Sequence, residues 1–393
     1  MFQHERVYYL VANALSKKEL GSLGIEFYSS FYKKVEIKVW PFKLEVDKSD
    51  GVFINLLPKN RKTFSTFLGL CSSPAQTVEL RTNAVPVGPG RLGSRLRKFT
   101  PARLLDFIIR QPFIWQRLAG IPGRIIYGGA VMRPGSGECR RAISAHALDY
   151  DVWLEFLAER GIAPEDFSRA EATPGQKSIS TDPAIAPLGE PDGRSVVGSF
   201  TFSGSKHIVF LDQNLPFHGD FTLQKRRAPA TAEKYFPALC QFFDRLEQEL
   251  GLPVVIAAHP RAAYAQEGYS GPDYFGRRKL IAGQTLPLIF DSALVLTHYS
   301  TAVNFAVMAK KPLVLLDSSE IERSEGHIIR SMSSHLGALV LNIDQPGIPL
   351  PEELVRIDSE AYTRYFHNYI KEEGSPEKPF WQILLDDLQN NPL

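Results

Sequence analysis

The strongest constraint on the fold is a repeated alternation of short apolar segments with helical segments in the second half of the chain. Residues 293–298 (ALVLTH) predict a strand, residues 300–311 (STAVNFAVMAKK) a helix and residues 312–317 (PLVLLD) a second strand. Further strands are predicted at residues 206–213 and 253–260. Strands joined by crossover helices pair in parallel, because each crossover returns the chain to the same end of the sheet. This half therefore predicts an α/β fold with a doubly wound parallel sheet.

The first half shows the same alternation less regularly. Residues 172–206 are rich in Pro, Gly and Ser and contain few apolar runs, so they mark the predicted domain boundary. We expect one domain over residues 1–200, a second over 201–350, and C-terminal helices over 351–393 that pack across both. Further strands are predicted at residues 7–13, 34–40, 51–57 and 124–132. Further helices are predicted at residues 18–34, with an interrupting loop, and at residues 151–161 and 232–251.

Composition excludes several classes of protein. The 393 residues are 44% hydrophobic and 22% charged with a net charge of +2, so the chain is not a nucleic-acid-binding polycation. Its three cysteines are widely spaced and form no CxxC pair, which predicts neither a disulfide framework nor a zinc site and fits a cytoplasmic protein. The N-terminal segment carries charge where a signal peptide is apolar. The apolar runs are shorter than the roughly 18 to 20 residues that span a bilayer.

Polar residues follow the predicted strand at residues 293–298. His298 is its last residue, and Ser300 and Thr301 open the predicted helix. In an open parallel sheet, ligands bind beyond the carboxyl ends of the strands. The two hydroxyls, the backbone N–H groups of the first helical turn and the positive end of the helix dipole together form a candidate anion site. The alternative is a helix that Ser300 or Thr301 merely caps.

Two other predicted strands end in chemically active residues. One ends at His259 and Pro260 with Arg261 next, and another places Asp212 near its end. Because the carboxyl ends of parallel strands meet at one edge, we expect these residues to converge on the crevice that His298 enters. A loop histidine and a turn-capping aspartate are the alternatives.

The segments LDQNLPFHGD, AAHPRA and THYSTAVNFAVMAKKPLVLL resemble bacterial glycosyltransferases that use CMP-activated acidic sugars. These include sialyltransferases and the Kdo transferases of capsule, lipopolysaccharide and O-antigen biosynthesis, and the retaining β-Kdo transferases are the most similar. The resemblance covers about residues 205–320. It implies an α/β fold of the GT-B type, with two Rossmann-like domains that face a central cleft. The first domain would bind the acceptor and the second the CMP-sugar.

The resemblance also implies roles for individual residues. Ser300 and Thr301 would hold the single phosphate of CMP, and His259 and His298 would contact that phosphate or the sugar. Thr285, which caps a predicted short helix over residues 286–292, would contact the ribose or cytosine. A single phosphate can be neutralised by a helix end and histidine, so we expect no metal and no cofactor besides the donor substrate, CMP-Kdo.

In the retaining β-Kdo group an aspartate forms a covalent glycosyl-enzyme. Asp212 is the predicted nucleophile, Asp220 is the reserve candidate, and His259 is expected to assist. Glu138, in a Gly-rich segment of the first domain, is the predicted base for the acceptor hydroxyl. An ion pair with a neighbouring arginine is the alternative role for Glu138.

An acidic sugar requires a cation for its carboxylate. Arg261, which follows Pro260, is one candidate. Lys206 and Lys279 are the others, and Lys279 belongs to the basic run at residues 277–279. A solvated surface is the alternative for that run.

Residues 91–124 contain eight Arg or Lys and one Asp around an apolar helical side. Such a surface suits peripheral contact with the inner face of the inner membrane, where a lipid-linked or oligosaccharide glycan acceptor would be elongated. The alternative is a helix packed on its own domain. No recognisable module predicts binding of nucleic acid.

Four other functions stay open at this level. One is an inverting, sialyltransferase-like enzyme, and another is a transferase of CDP-activated polyol phosphate; in both, Asp212 forms no adduct. The third is a non-catalytic nucleotide-sugar-binding subunit, and the fourth is a nucleotide-sugar epimerase, which would prefer UDP.

Overall fold

The chain forms two parallel six-stranded sheets, here called sheet A and sheet B. The computed structural model describes residues 6–11, 14–15, 20, 23–41, 51–57, 63, 66, 70, 76–81, 86, 124–128, 141–164, 207–219, 221 and 226–391.

Sheet A belongs to the first half of the chain and has the order β2-β1-β3-β4-β5-β6, with all neighbours parallel. Its inner strand β3 is buried along its whole length, whereas β2 at the edge is largely exposed or half-buried. A short helix, α1, lies between β1 and β2, and α2 follows β6. The elements are β1 (Arg6–Val11), α1 (Ile25–Tyr28), β2 (Lys34–Val39), β3 (Gly51–Asn55), β4 (Gln76–Arg81), β5 (Arg124–Gly128), β6 (Arg141–Ala145) and α2 (Leu148–Glu159).

Sheet B has the order β12-β11-β10-β7-β8-β9 and is also entirely parallel. Its central strands are buried at every position, because helices cover both faces of a parallel sheet. Its elements are β7 (His207–Leu211), α3 (Ala232–Leu250), β8 (Val254–Ala258), β9 (Leu280–Ala282), α4 (Thr285–Phe290), β10 (Ser292–Thr297), α5 (Val303–Met308), β11 (Leu313–Asp317), α6 (Ser319–Ser324), α7 (Gly326–Leu336) and β12 (Leu339–Asn342).

Helix α3 shows how the sequence builds the core of this unit. Its apolar residues recur every three or four positions and form one buried face, which packs against sheet B. The helix ends at Gly251, whose φ of 64° is the left-handed conformation that glycine adopts at least cost. The buried residues are Tyr235, Phe236, Leu239, Phe242, Phe243 and Leu246.

Helices at the end of the chain connect the two halves. Three short elements, α8 (Pro351–Leu354), α9 (Ser359–Tyr365) and a π-helical segment (Phe366–Ile370), contribute to the core of sheet B. The last helix, α10 (Phe380–Asn390), instead contributes to the core of sheet A. There Tyr28 donates a hydrogen bond from its hydroxyl to the carbonyl of Trp381 at 2.9 Å. The final helix therefore returns to the first unit.

Helix α2 crosses in the opposite direction to α10. It follows sheet A along the chain, but its buried face packs into the core of sheet B. Two Rossmann-like sheets in one chain confirm the predicted α/β fold of the GT-B type. The predicted domain boundary at residues 200 and 201 lies outside the described residues and stays a prediction. Among the helices that the structure describes, none is long and apolar enough to cross a membrane.

Candidate donor-binding site at the carboxyl edge of sheet B

The candidate site lies where the strand order of sheet B reverses. Strand β7 pairs with β8 on one side and with β10 on the other. The connections that leave β7 and β10 therefore run to opposite sides and leave a crevice at the carboxyl edge, the usual position of ligands in doubly wound sheets. The segments that follow β7, β8 and β10 contact one another at this edge.

Asp212 joins the ends of β7 and β8. Its Oδ2 accepts hydrogen bonds from the backbone N–H of His259 at 3.0 Å and the hydroxyl of Tyr264 at 2.8 Å. Its Oδ1 accepts the backbone N–H of Asn214 at 2.8 Å. The side chain is buried, and this burial raises the pKa of the carboxyl while these hydrogen bonds oppose the rise. Asp212 thus holds the His259 loop at the edge of β7.

His259 and His218 form a pair of rings at the same edge. Their centroids are 4.9 Å apart with the planes at 70°. The Nδ1 atom of His259 accepts the backbone N–H of Arg261 at 3.2 Å, which directs Nε2 away from its own loop. Pro260 and Arg261 are exposed beside them. The predicted convergence of Asp212 and His259 is therefore present, and His218 adds a second imidazole.

His298 occupies a different environment from the one predicted. It is 0% exposed, and its ring packs edge-on against Phe210 with centroids 5.8 Å apart. Nδ1 donates to the carbonyl of Leu316 at 2.7 Å, and Nε2 accepts the hydroxyl of Tyr235 at 2.8 Å. Burial lowers the pKa of His298 to about 4, which keeps the ring neutral.

The prediction that the His298 side chain contacts the donor is corrected by this geometry. Both ring nitrogens are already hydrogen-bonded inside the core, and the ring does not reach the crevice. His298 instead joins β10 to β11 and to α3. The prediction assumed that the last residue of a strand points into the crevice, whereas this side chain points back into the core.

Gln213 is a residue that sequence reasoning missed. Its Oε1 accepts the backbone N–H of Tyr299 at 2.8 Å, so it joins the end of β7 to the loop after β10. Together, Asp212 and Gln213 link β7 to both neighbouring strands. Tyr264 was missed as well, although it contacts Asp212. No pattern distinguishes a glutamine after a strand or a tyrosine in a loop, so the sequence contained no signal for either.

Ser300 and Thr301 lie in a turn that precedes α5. The predicted helix start at Ser300 is wrong by three residues, because α5 begins at Val303. The hydroxyl oxygen of Ser300 accepts the backbone N–H of Ala302 at 3.2 Å, and Thr301 is exposed. With only six residues in α5, the helix dipole contributes less than predicted. Both residues directly follow Tyr299, whose backbone N–H binds Gln213, so the turn that carries them starts at the carboxyl edge.

The other predicted residues are dispersed. Thr285 is the first residue of α4 and half-buried. Lys279 precedes β9 and lies level with Val255, which places it toward the amino end of the sheet and away from the crevice. Arg278 is paired with Asp244 and Glu247, so within the run 277–279 it stabilises the surface of α3. Glu138, Lys206 and Asp220 lie outside the described residues.

No group of His, Cys, Asp or Glu within the described ranges has an arrangement that could hold a metal ion. The described site is instead built from imidazoles, hydroxyls and backbone N–H groups. Such groups can hold an anion, and a buried carboxylate beneath them orients the loop that carries the imidazole.

No family model matches the chain, and no curated protein matches it. Among solved structures it is similar to the glycosyltransferase SnogD from Streptomyces nogalater, with 11% identity and a TM-score of 0.43 over 98% of this chain and 100% of that one. It is also similar to the wall teichoic acid polymerase TagF, H444N variant, with 12% identity and a TM-score of 0.49 over 98% of this chain and 88% of that one. The calicheamicin glycosyltransferase CalG4 is similar with 13% identity and a TM-score of 0.35 over 98% of this chain and 95% of that one. Scores below 0.5 transfer no activity to this chain.

Proposed function

We propose that the chain is a glycosyltransferase whose donor, a nucleotide-activated sugar, binds at the carboxyl edge of sheet B. The observation that supports this most lies at the switch point between β7 and β10, where Asp212 contacts the loop of His259 and Gln213 contacts the loop that leads to Ser300. A crevice with imidazole and hydroxyl groups suits a phosphate, and a second Rossmann-like unit offers a place for an acceptor.

The donor class proposed is a CMP-activated acidic sugar, with Kdo first. Its single phosphate would contact His259, Ser300 and Thr301, and Thr285 would lie toward the nucleoside. Arg261, exposed beside Pro260, is the cation proposed for the sugar carboxylate. One phosphate among imidazole and hydroxyl donors carries little charge to neutralise, so the proposal requires no metal.

The proposed reaction retains configuration through Asp212. A carboxylate oxygen bonds to the anomeric carbon as the bond from that carbon to the phosphate oxygen breaks, and CMP leaves with the electron pair. The acceptor hydroxyl then attacks the same carbon, and the electrons of the sugar–carboxylate bond return to Asp212. A base takes the hydroxyl proton, and Glu138 is the candidate that the sequence offers.

An inverting reaction is the second candidate, and one observation favours it. Asp212 is 6% exposed and both of its oxygens accept hydrogen bonds, which leaves little surface for attack on a sugar. In that mechanism Asp212 positions the His259 loop and forms no adduct. In the CDP-polyol-phosphate reaction, too, Asp212 would position the His259 loop and form no adduct.

The proposed acceptor is a lipid-linked or oligosaccharide glycan of a bacterial surface polysaccharide. The basic segment over residues 91–124, proposed to contact the membrane surface, lies largely outside the described residues. This part of the proposal therefore depends on its composition alone.

Intact-protein mass spectrometry after incubation with CMP-Kdo tests the proposal. Wild type should gain the mass of one sugar, and Asp212→Asn should not. Asp291→Asn, an aspartate whose side chain is 47% exposed on the surface, is the matched control and should behave as wild type.

The outcomes separate the candidates. CMP release with an acceptor but without an adduct would keep the transferase and remove the nucleophile. CMP binding without turnover, unaffected by Asp212→Asn, would indicate a binding subunit. Turnover of CDP-glycerol would indicate the polyol-phosphate reaction, and a UDP-sugar preference would point to an epimerase.

A further inference from the structure

The described part of the chain contains a cavity of about 410 Å³ away from the crevice. It lies among α2, α5 and α9, and its volume falls in the range of roughly 300–1,000 Å³ that small-molecule sites occupy. Residues Val307, Met308 and Lys310 line it at the C-terminal end of α5. Since the N-terminal end of α5 follows Ser300 and Thr301, the cavity and the crevice lie at opposite ends of this helix.

The floor of the cavity is apolar and aromatic, whereas its rim is polar. Trp153, Val307, Met308 and Tyr362 are buried at the floor. The lining residues that are exposed to solvent include Ser359, Thr363 and His367. An apolar body could therefore enter from solvent and leave a polar group at the rim.

The walls are held together by hydrogen bonds that are buried or partly buried. The hydroxyl of Tyr365 on α9 donates to Oδ1 of Asn304 on α5 at 3.0 Å, and Nδ2 of Asn304 donates to Asp149 on α2 at 2.8 Å. The hydroxyl of Tyr362 donates to the carbonyl of Lys311 at 2.8 Å. These bonds fix the spacing of the three helices, so the cavity is preformed.

Two basic side chains are among the described residues that line the cavity. Lys310 and His367 line the cavity, and no Asp or Glu is among the described lining residues. Lys310 also has a φ of 50°, a left-handed conformation in which glycine is least strained and lysine is uncommon. A lysine at a helix C-terminus complements the helix dipole, but glycine is the usual solution there. The position therefore holds a cation where the backbone favours glycine.

We propose that this cavity binds an amphipathic anion, with an apolar chain on the aromatic floor and a carboxylate in contact with Lys310 and His367. This site is separate from the donor site, and the proposal does not depend on the chemistry proposed there.

Isothermal titration of the full chain with decanoate tests the proposal, with decanol as the uncharged comparison. Wild type should bind decanoate saturably at one site and bind decanol more weakly. Lys310→Gly should weaken decanoate binding by about tenfold, the value of one charge-assisted hydrogen bond. Because φ at this position suits glycine, the variant should fold at least as stably as wild type.

Two further variants make the test specific. Thr363→Trp should fill the cavity from its rim and abolish binding of decanoate and decanol alike. Lys234→Ala removes a lysine that is 76% exposed on α3, and it should bind as wild type does. Wild type that shows no saturable binding would overturn the proposal. Equal decanoate affinity in wild type, Lys310→Gly and Thr363→Trp would overturn it as well.

Discussion

The two sheets share one architecture, but the polar residues described at their strand ends form side-chain hydrogen bonds over different distances along the chain. In sheet B, Asp212 contacts residues 47 and 52 positions along the chain, and His298 contacts residues 63 and 18 positions away. In the described part of sheet A, Asn55 accepts the N–H of Leu57 two positions on, and His146 contacts Asp151 five positions on.

This difference explains why sheet B offers the better-organised site. A strand end held by its neighbours keeps its geometry only when the whole unit is folded, and it cannot open as an independent loop. Preorganised groups of this kind are what a binding site requires. In sheet A, by contrast, the hydrogen bonds described for the side chains of Asn55 and His146 reach only the segments that follow their strands. Long-range contacts should therefore cost more to remove in sheet B than local contacts in sheet A.

The largest effect is expected from His298→Leu compared with His146→Leu. The first change leaves two buried groups, the Tyr235 hydroxyl and the Leu316 carbonyl, without a partner, at about 1–3 kcal/mol each. The second removes one hydrogen bond to the partly exposed Asp151, which still accepts the backbone N–H of Phe380, so we expect a loss of about 1 kcal/mol. Urea denaturation, combined with amide hydrogen exchange of β10 and β6, measures each loss locally.

A double variant shows whether the unpaired hydroxyl causes the loss. Adding Tyr235→Phe to His298→Leu should recover part of the stability, because the buried oxygen is then absent. Equal losses of unfolding free energy in His298→Leu and His146→Leu would show that the two sheets do not differ in this respect.

The next effect is a dependence of stability on pH that belongs to sheet B. The pKa of His298 falls from its ordinary value of 6.5 to about 4 on folding. The unfolded chain therefore binds a proton between these values that the folded chain excludes, and stability falls as the pH drops through this window, by at most about 3 kcal/mol. Above pH 6.5 the effect is absent.

Urea denaturation across pH 7 to 4 measures this dependence in wild type and in His298→Leu. Carboxylates titrate in the same range, so the difference between the two proteins isolates the histidine. Parallel pH profiles would show that His298 does not carry this effect.

A smaller effect is expected where Asp212 loses one of several donors. Tyr264→Phe removes the hydroxyl bond at 2.8 Å but leaves the backbone N–H groups in place. We expect a loss of about 1.5 kcal/mol in the free energy of unfolding, together with weaker binding of CMP. Tyr274→Phe is the matched control, since its ring packs 5.6 Å from that of Tyr264. Urea denaturation and CMP titration measure both consequences, and equal effects in the two variants would contradict the assignment.

Much of this comparison could be predicted from the sequence, because periodicity reports burial on a local scale. The apolar runs of sheet B and the 3.6-residue period of α3 predicted the positions of β7 and α3 to within a few residues. Four strands were missed: β4 (QTVELR), β6 (RAISA), β9 (LIA) and β12 (LVLN). They are short or mix polar with apolar residues, and their pairing with neighbouring strands defines them more than their composition does.

The site was predicted as far as strand ends determine it. Asp212 and His259 converge because the carboxyl ends of parallel strands share an edge. The burial of His298 could not be read from its position, since it depends on Tyr235, which lies 63 residues earlier. Gln213 and Tyr264 act through equally distant partners. The sequence motifs therefore predicted which residues could carry the chemistry, but not the long-range contacts that position them.

The smallest stability effect should come from Ser300→Ala, which lies in sheet B but makes a local contact. Its hydroxyl accepts only the N–H of Ala302, two positions on, among the hydrogen bonds described for it, so we expect a loss of about 0.5 kcal/mol. If Ser300 holds the donor phosphate, CMP affinity should nevertheless fall about tenfold. Thr301→Ala, at the exposed neighbour, shows whether both hydroxyls contribute. CMP titration with urea denaturation separates binding from folding at this position. A stability loss comparable to that of His298→Leu, with CMP affinity unchanged, would make Ser300 another structural contact and move the phosphate elsewhere along the edge.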